Sequence, residues 1–316
     1  MAQTVLITGA TGFVGQGLVA HLRGEGRQIR LASRASGGAD SVAIGEIGPD
    51  TDWSRALEGI DTVIHLAGRA HVMAKDRDAL ARFRTVNAGG TRRLAEQAEQ
   101  AGVRRFVLIS SVKAAADTTG EHAIQESEPA NPRTPYGISK LEGEQALWET
   151  ARTMDAVVLR PPLVYGPGVR ANFRALLRLV DSGLPLPLGG VRNRRSMIAR
   201  DNLVSAIAAA TTASGAPGKT FYVTEGPPLS TPTLIRGLAR ALGKPARLMS
   251  FSPLLIKGLA ILAGRGEAAD SLLGSLAVNG VAFRAATGWM PPVTQEAAFE
   301  DVARWYVQTV GRVSNA

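Results

Sequence analysis

The chain of 316 residues is 45% hydrophobic and 20% charged, long enough to bury a large core and too apolar to be disordered or fibrous. It contains no cysteine, which excludes disulfides, a thiol nucleophile and thiolate metal or iron–sulfur sites, so redox work needs a bound cofactor. The formal charge of +9 comes from arginines spread along the chain without an interleaved aromatic and basic module, which argues against a nucleic-acid partner.

The first residues lead straight into the apolar run 4–10, without the basic start and long apolar core of an export signal, and the chain reads as cytoplasmic. Leu18, Val19 and Leu22 then recur at helical spacing, which predicts strand, tight turn and helix. Residues 27–33 predict a second strand, and 51–68 a short helix feeding a third. A helix over about 87–99, a strand over 104–111, a helix over about 136–151 and a strand over 155–161 continue the series. Strands separated by helices of this length predict a parallel sheet covered on both faces.

After Pro161 the alternation loosens into turn-rich stretches, with helices expected over 172–183 and about 201–211 and a late strand over 218–226. The fold class expected is α/β, a doubly wound parallel sheet with a smaller, interleaved C-terminal domain. Residues 1–168 and 198–224 would bind a dinucleotide; 169–197 and 225–316 would close over the strand ends and hold the substrate. The apolar run 253–264 is too short to span a bilayer, so no integral membrane protein is expected; it suits helix packing or a membrane surface.

In "TGATGFVG" the glycines Gly9, Gly12 and Gly15 stand between a strand and a helix. Lacking side chains, they permit a sharp turn and let backbone amides and the helix terminus approach a pyrophosphate, with Thr11, Phe13 and Val14 completing the loop. The second strand ends in Ser33 and Arg34 rather than an acidic residue. An Asp or Glu there would accept from a ribose diol, whereas arginine pairs with a 2'-phosphate, so NADP is expected over NAD.

The motifs "TGATGFVG", "VIHLAG", "NAGGT", "FVLISS", "YGISK" and "RPPLVYGPG" occur in this order over much of the chain. In them the chain resembles the extended short-chain dehydrogenase/reductases, also called the NAD-dependent epimerase/dehydratase family. The resemblance implies Tyr136 as acid/base, Lys140 as its electrostatic partner, Ser111 as the hydroxyl that holds the substrate oxygen, and Ser110 on the cofactor side. The chemistry asks for the same types. Four residues apart on a helix, Tyr136 and Lys140 share a face, and an ammonium favours the phenolate. A ketone accepting hydride also needs a proton, which a tyrosine can supply. The resemblance further places Glu46 and Ile47 beside adenine, Leu66, Ala67 and Gly68 along the dinucleotide, and Pro161 and Leu163 at the nicotinamide. His65 is expected to be structural, and no metal site is expected.

The resemblance also implies a substrate class. Family members that bind nucleoside diphosphate sugars place an asparagine after the "YGPG" loop and an arginine on the diphosphate, matched by Asn172 and Arg195. A guanidinium suits paired phosphate oxygens. Pro187 and Leu188 match the segment that runs along uracil. Dehydratases carry an Asp-Glu pair where this chain has Val112 and Lys113, so dehydration is not expected; Lys113 is a candidate substrate contact. The leading expectation is an NADPH-dependent reductase of a UDP-4-keto-6-deoxy-hexose, as in O-antigen synthesis. The alternatives are a UDP-sugar 4-epimerase with tightly bound NAD and an NADP-dependent reductase of an apolar ketone. A homodimer through the helices near 87–99 and 136–151 would fit the family.

Overall fold

The computed structural model describes residues 3–314 apart from 36, 39, 71–77, 263 and 265. Thr4–Thr8 (β1) runs into the glycine turn and Phe13–Gly24 (α1), then Gln28–Ser33 (β2), Ser41–Ala43 (β3), Ser54–Leu57 (α2) and Thr62–His65 (β4). Ala79–Arg84 (α3) passes through a π-helical turn, Thr85–Gly90, into Thr91–Gln100 (α4). Arg105–Ile109 (β5), Pro135–Thr150 (α5) and Asp155–Arg160 (β6) complete the regular series.

The remaining elements alternate between two bodies. Leu163–Tyr165 (β7), Ala171–Asp181 (α6) and Met197–Ala199 (β8) leave the sheet, and Arg200–Thr212 (α7) and Lys219–Tyr222 (β9) return to it. Thr231–Ala241 (α8), Pro253–Leu262 (α9), Gly266–Leu273 (α10), Val281–Thr287 (α11) and Gln295–Ser314 (α12) follow.

The main sheet has the order β3-β2-β1-β4-β5-β6-β9, parallel throughout. The chain doubles back between β1 and β4, and the crevice at such a switch point opens beyond the carboxyl ends of the strands. Register brings those ends level: Thr8 lies beside both Ala32 and His65, and His65 beside Leu108. Successive strand residues face opposite ways, so Val5 and Ile7 pack with α1, α7 and Phe283, while Leu6 joins Trp53, Leu94 and Phe106 on the other face. This is a Rossmann-type sheet with a smaller C-terminal domain.

The smaller body has its own core, in which Tyr165, Phe173 and Leu177 meet Leu238, Phe299 and Tyr306. A second sheet, β7 paired parallel with β8, joins it to the main body. Among the described residues no helix is long and apolar enough to cross a membrane.

Candidate active site

The turn after β1 needs its glycines. Gly9 has φ +72°, and a Cβ there would stand 2.7 Å from the Ala67 nitrogen; at Gly15 it would stand 2.2 Å from the Gly9 carbonyl oxygen. The turn therefore lies flush against the strand end of β4 and the start of α1. Above it opens a cavity of about 680 Å³ lined by Gly9, Thr11, Gly12, Ser33, Arg34, Glu46, Ile47, Leu66, Ala67 and Gly68. These residues form one wall set, with the glycine backbone at one end and Glu46 and Arg34 at the other. A pyrophosphate flanked by an adenosine fits that arrangement, because the backbone can approach where no Cβ intervenes.

The rest of the expected cofactor set is placed differently. Val14 packs into the core behind β1. The Phe13 ring turns toward Gly166 and Gly168 and lies under the Arg200 guanidinium, 5.8 Å from ring centre to carbon. Pro161 accepts from the Val112 amide at 3.0 Å, and Leu163 begins β7 with its side chain exposed.

α5 carries the reactive pair. Pro135 occupies its first turn, the Thr134 hydroxyl accepts from the Gly137 amide at 3.3 Å, and Asp117 accepts from the Thr134 hydroxyl at 2.8 Å and the Arg133 amide at 2.7 Å. The helix start is thereby locked one residue before Tyr136. The Tyr136 ring packs edge-on against Phe83 at 5.8 Å. Burial pushes its pKa up, opposed by a hydrogen bond with the Ser111 side chain. Ser111 and Tyr136 thus meet, as the substrate chemistry requires.

Lys140 is buried one turn further on. Its Nζ donates to the Ile109 carbonyl at 2.8 Å, and burial lowers its pKa to about 8 against the opposing pull of Glu144. An ammonium near Tyr136 is expected to favour the phenolate; in the structure the Ser111 hydrogen bond is what lowers Tyr136, and Lys140 is itself held down by desolvation.

Ser110 does not face the cofactor cavity. Its hydroxyl donates to Glu144, a buried carboxylate that also takes a bidentate fork from Arg160, with Nη2 to Oε2 at 2.6 Å and Nε to Oε1 at 3.0 Å. Arg160 reaches on to the Tyr222 hydroxyl at 3.4 Å. Alternation along a strand sends adjacent serines to opposite sides, so only Ser111 is left for the reacting side.

Asn87, Glu144 and Arg160 were not among the expected site residues. Asn87 sits buried in the π-helical turn, accepts from the Arg69 amide at 2.8 Å and donates to the Arg69 carbonyl and the Ser139 hydroxyl, both at 3.0 Å. It fastens the strap after β4 to α5, so the cavity wall and the reactive helix hold one geometry. The "NAGGT" motif carried that signal. His65 shares a 2.7 Å hydrogen bond with Thr8, and burial, aided by Lys140, lowers its pKa to about 3, so it stays neutral.

The expected substrate contacts are spread over the smaller body. Arg195 is pinned by its backbone to Leu229 and donates from Nη1 to the Gly274 carbonyl at 3.0 Å. Burial lowers its pKa, and no carboxylate pairs with it among the described residues. Asn172 lies exposed near the start of α6, and Pro187 is exposed. Leu188 is buried in the core of the smaller body beside Leu186 and Val191, so the apolar contact expected of it is corrected. Lys113 Nζ donates to the Asp117 carbonyl at 2.9 Å and lies 3.6 Å from its carboxylate, which ties it to the loop that positions α5.

The glycine cradle and the Ser111, Tyr136 and Lys140 cluster at a Rossmann switch point define an NAD(P)-dependent enzyme of oxidoreductase or epimerase chemistry. The pattern of the NAD dependent epimerase/dehydratase family matches residues 5–223, and the chain belongs to that family. It is 37% identical over 321 residues to a UDP-glucose 4-epimerase of Vibrio cholerae, covering 99% of this chain and 98% of that one. Its fold is similar to a short-chain dehydrogenase/reductase superfamily protein from Agrobacterium tumefaciens with bound NAD (TM-score 0.76, 23% identity, 99% and 100% of the two chains). It is likewise similar to MoeE5 in complex with UDP-glucose and NAD (TM-score 0.76, 24% identity, 97% and 99%).

Both solved structures hold NAD, which corrects the expectation of NADP drawn from Arg34. The geometry supplies a reason. Arg34 is 3.5 Å from Glu46, with side chains 78% and 83% exposed. The carboxylate takes the guanidinium that a 2'-phosphate would need and adds like charge beside it.

Proposed function

We propose that this chain is a UDP-hexose 4-epimerase that works with NAD. The observation that carries the reading is the likeness to the Vibrio cholerae UDP-glucose 4-epimerase over 99% of the chain, because it extends through the C-terminal body that the family pattern leaves uncovered. The reductase reading rested on a preference for NADP and loses its support with Arg34.

Bound in the glycine cradle, NAD supplies the reversible two-electron exchange that inversion at a carbinol carbon requires. Tyr136 takes the proton of the sugar hydroxyl and returns it once the opposite face is presented. Ser111 holds that oxygen and favours the phenolate form of Tyr136. Asn87 and the Asp117 loop keep Tyr136 aligned with the cavity. Arg195, partly buried and without a carboxylate partner among the described residues, is suited to a diphosphate, whose charge would offset the cost of burying the guanidinium.

The reading is tested on protein purified without added nucleotide. Denaturation should release one NAD per chain by mass spectrometry, and the native protein should interconvert UDP-glucose and UDP-galactose. An empty site, together with NADPH oxidation by a 4-keto sugar nucleotide and no interconversion, would overturn it.

A further inference from the structure

Among the described residues eleven large apolar side chains are exposed, and six of them, Met249, Phe251, Leu254, Leu255, Ile261 and Leu262, fall within fourteen residues. Leu254 is 81% exposed and Leu262 87%. On α9 the pairs Leu254 and Ile261, and Leu255 and Leu262, are seven residues apart, so all four line one outer stripe, while Ile256 turns inward to the core of the smaller body. A concentrated apolar ridge of this kind marks a surface that meets something.

An independent feature of the sequence says what. Residues 226–266 contain six cations, Arg236, Arg240, Lys244, Arg247, Lys257 and Arg265, and no Asp or Glu. Arg236 and Arg240 line a cavity together with Glu296 and Glu300, away from the ridge. Two of the cations meet carboxylates from outside the segment: Lys257 and Asp270 at 2.7 Å and Lys244 and Asp181 at 3.6 Å. Arg247 is exposed at the foot of the ridge.

We infer that α9 is an interfacial helix that docks the protein on an anionic phospholipid bilayer. Its ten residues span about 15 Å, half of a hydrocarbon core of ~30 Å, so it would lie in the headgroup plane rather than cross. Leucines enter the acyl boundary while Arg247, at the foot of the ridge, and Lys257, on the helix, meet lipid phosphates. A second copy of the chain fits less well. A two-fold interface brings the same patch against itself, setting Arg247 and Lys257 against their own counterparts.

The placement gives docking a consequence. The Leu186 amide donates to the Arg247 carbonyl at 2.8 Å, the Leu186 carbonyl accepts from the Met249 amide at 2.9 Å, and the Gly189 amide donates to the Met249 carbonyl at 2.8 Å. At the far end of the α9–α10 hairpin, Asn193 and Arg195 donate to the carbonyls of Leu272 and Gly274. Both ends of the hairpin are thus tied to the segment 186–195, so a docked molecule presents that segment close to the membrane.

The test is co-sedimentation of the full chain with phosphatidylethanolamine/phosphatidylglycerol vesicles and with pure phosphatidylcholine vesicles. Binding to the anionic vesicles, at least tenfold weaker to the neutral ones and weakened by salt, is expected. Leu254→Glu/Leu262→Glu should lose binding with an unchanged melting temperature. Should that pair lower the melting temperature, Leu254→Ser/Leu262→Ser is read in the same way. Absence of binding by the wild type, or equal binding by a folded variant, would overturn the inference. So would a concentration-dependent dimer, abolished by these substitutions, with no vesicle binding.

Discussion

The two bodies hold their polar side chains in different ways. In the nucleotide-binding body, side chain meets side chain in the interior: Glu144 between Ser110 and Arg160, Asn87 against Ser139, Thr8 against His65. In the smaller body the polar residues of the segment 193–195 are held mostly by backbone: Asn193 by the carbonyls of Leu272 and Gly274, Arg194 by Glu121, Arg195 by Gly274. A closed network fixes one geometry and tolerates little change, as proton transfer over a short distance demands. In the smaller body each of these side chains donates to main-chain carbonyls, which stay in place whatever residue carries them, so changing one residue strands no second side chain.

The contrast can be broken most severely at Tyr136. Tyr136→Phe should lower kcat on the order of 10²–10⁴-fold with dinucleotide content unchanged; an unaltered rate removes Tyr136 from the proton transfer. Glu144→Gln comes next, since it leaves the Arg160 guanidinium buried without its counter-charge. Denaturant unfolding should show a loss of about 3–5 kcal/mol. The paired change Glu144→Leu/Arg160→Met should restore much of it, and no recovery would mean that the network does more than neutralise charge.

Acidity gives a finer probe of the same network. Lys140 has a folded pKa of about 8, below its ordinary value of 10.5, so between those values only the unfolded chain holds the proton. The cost of burying the ammonium is therefore fully present below pH 8, and stability should rise with pH through this window. Activity that depends on the charged lysine should decline as pH passes about 8. Because Glu144 raises Lys140, Glu144→Gln should move that decline to lower pH; a pH–rate profile that does not move would separate the two residues.

In the smaller body the effects should be softer and confined to substrate. Arg195→Met should raise KM roughly 10- to 100-fold, the equivalent of a charge-assisted hydrogen bond of about 1.5–3 kcal/mol, with kcat nearly unchanged. A fall in kcat without a change in KM would place Arg195 elsewhere than on the diphosphate. The smallest effect is expected at the cavity mouth. Arg34→Ala removes an exposed ion pair worth about 0–1 kcal/mol, and NAD should still be preferred in dinucleotide titration.

Much of the nucleotide-binding body could be read from local pattern. Gly9 to Gly15 is continuous in sequence, and Tyr136 and Lys140 share a helix face, so short spacing carries both. Glu144 is also one turn beyond Lys140, but its partner Arg160 lies on another strand, and no periodicity links them. Ser110 and Ser111 follow directly on β5 and differ in the direction of their side chains, and that is settled by the buried Glu144 that takes Ser110. β3, β7 and β8 have three residues each, too few to show alternation. Leu188 was misplaced because 184–190 is a loop, in which neighbouring residues point in or out without a repeat. Arg34 was misread since its partner Glu46 comes from a different connection.

The order in which these pieces are synthesised adds a constraint. All seven strands of the main sheet have been made once Tyr222 leaves the ribosome, whereas the backbone of the segment 186–195 finds partners at Leu229, 247–249 and 274–276. During translation that segment must wait, with β7 and α6 already extruded. The sheet of the first body can form while the second is still incomplete, but its core closes only when Phe283 and Trp289 arrive from beyond the second body's first helices.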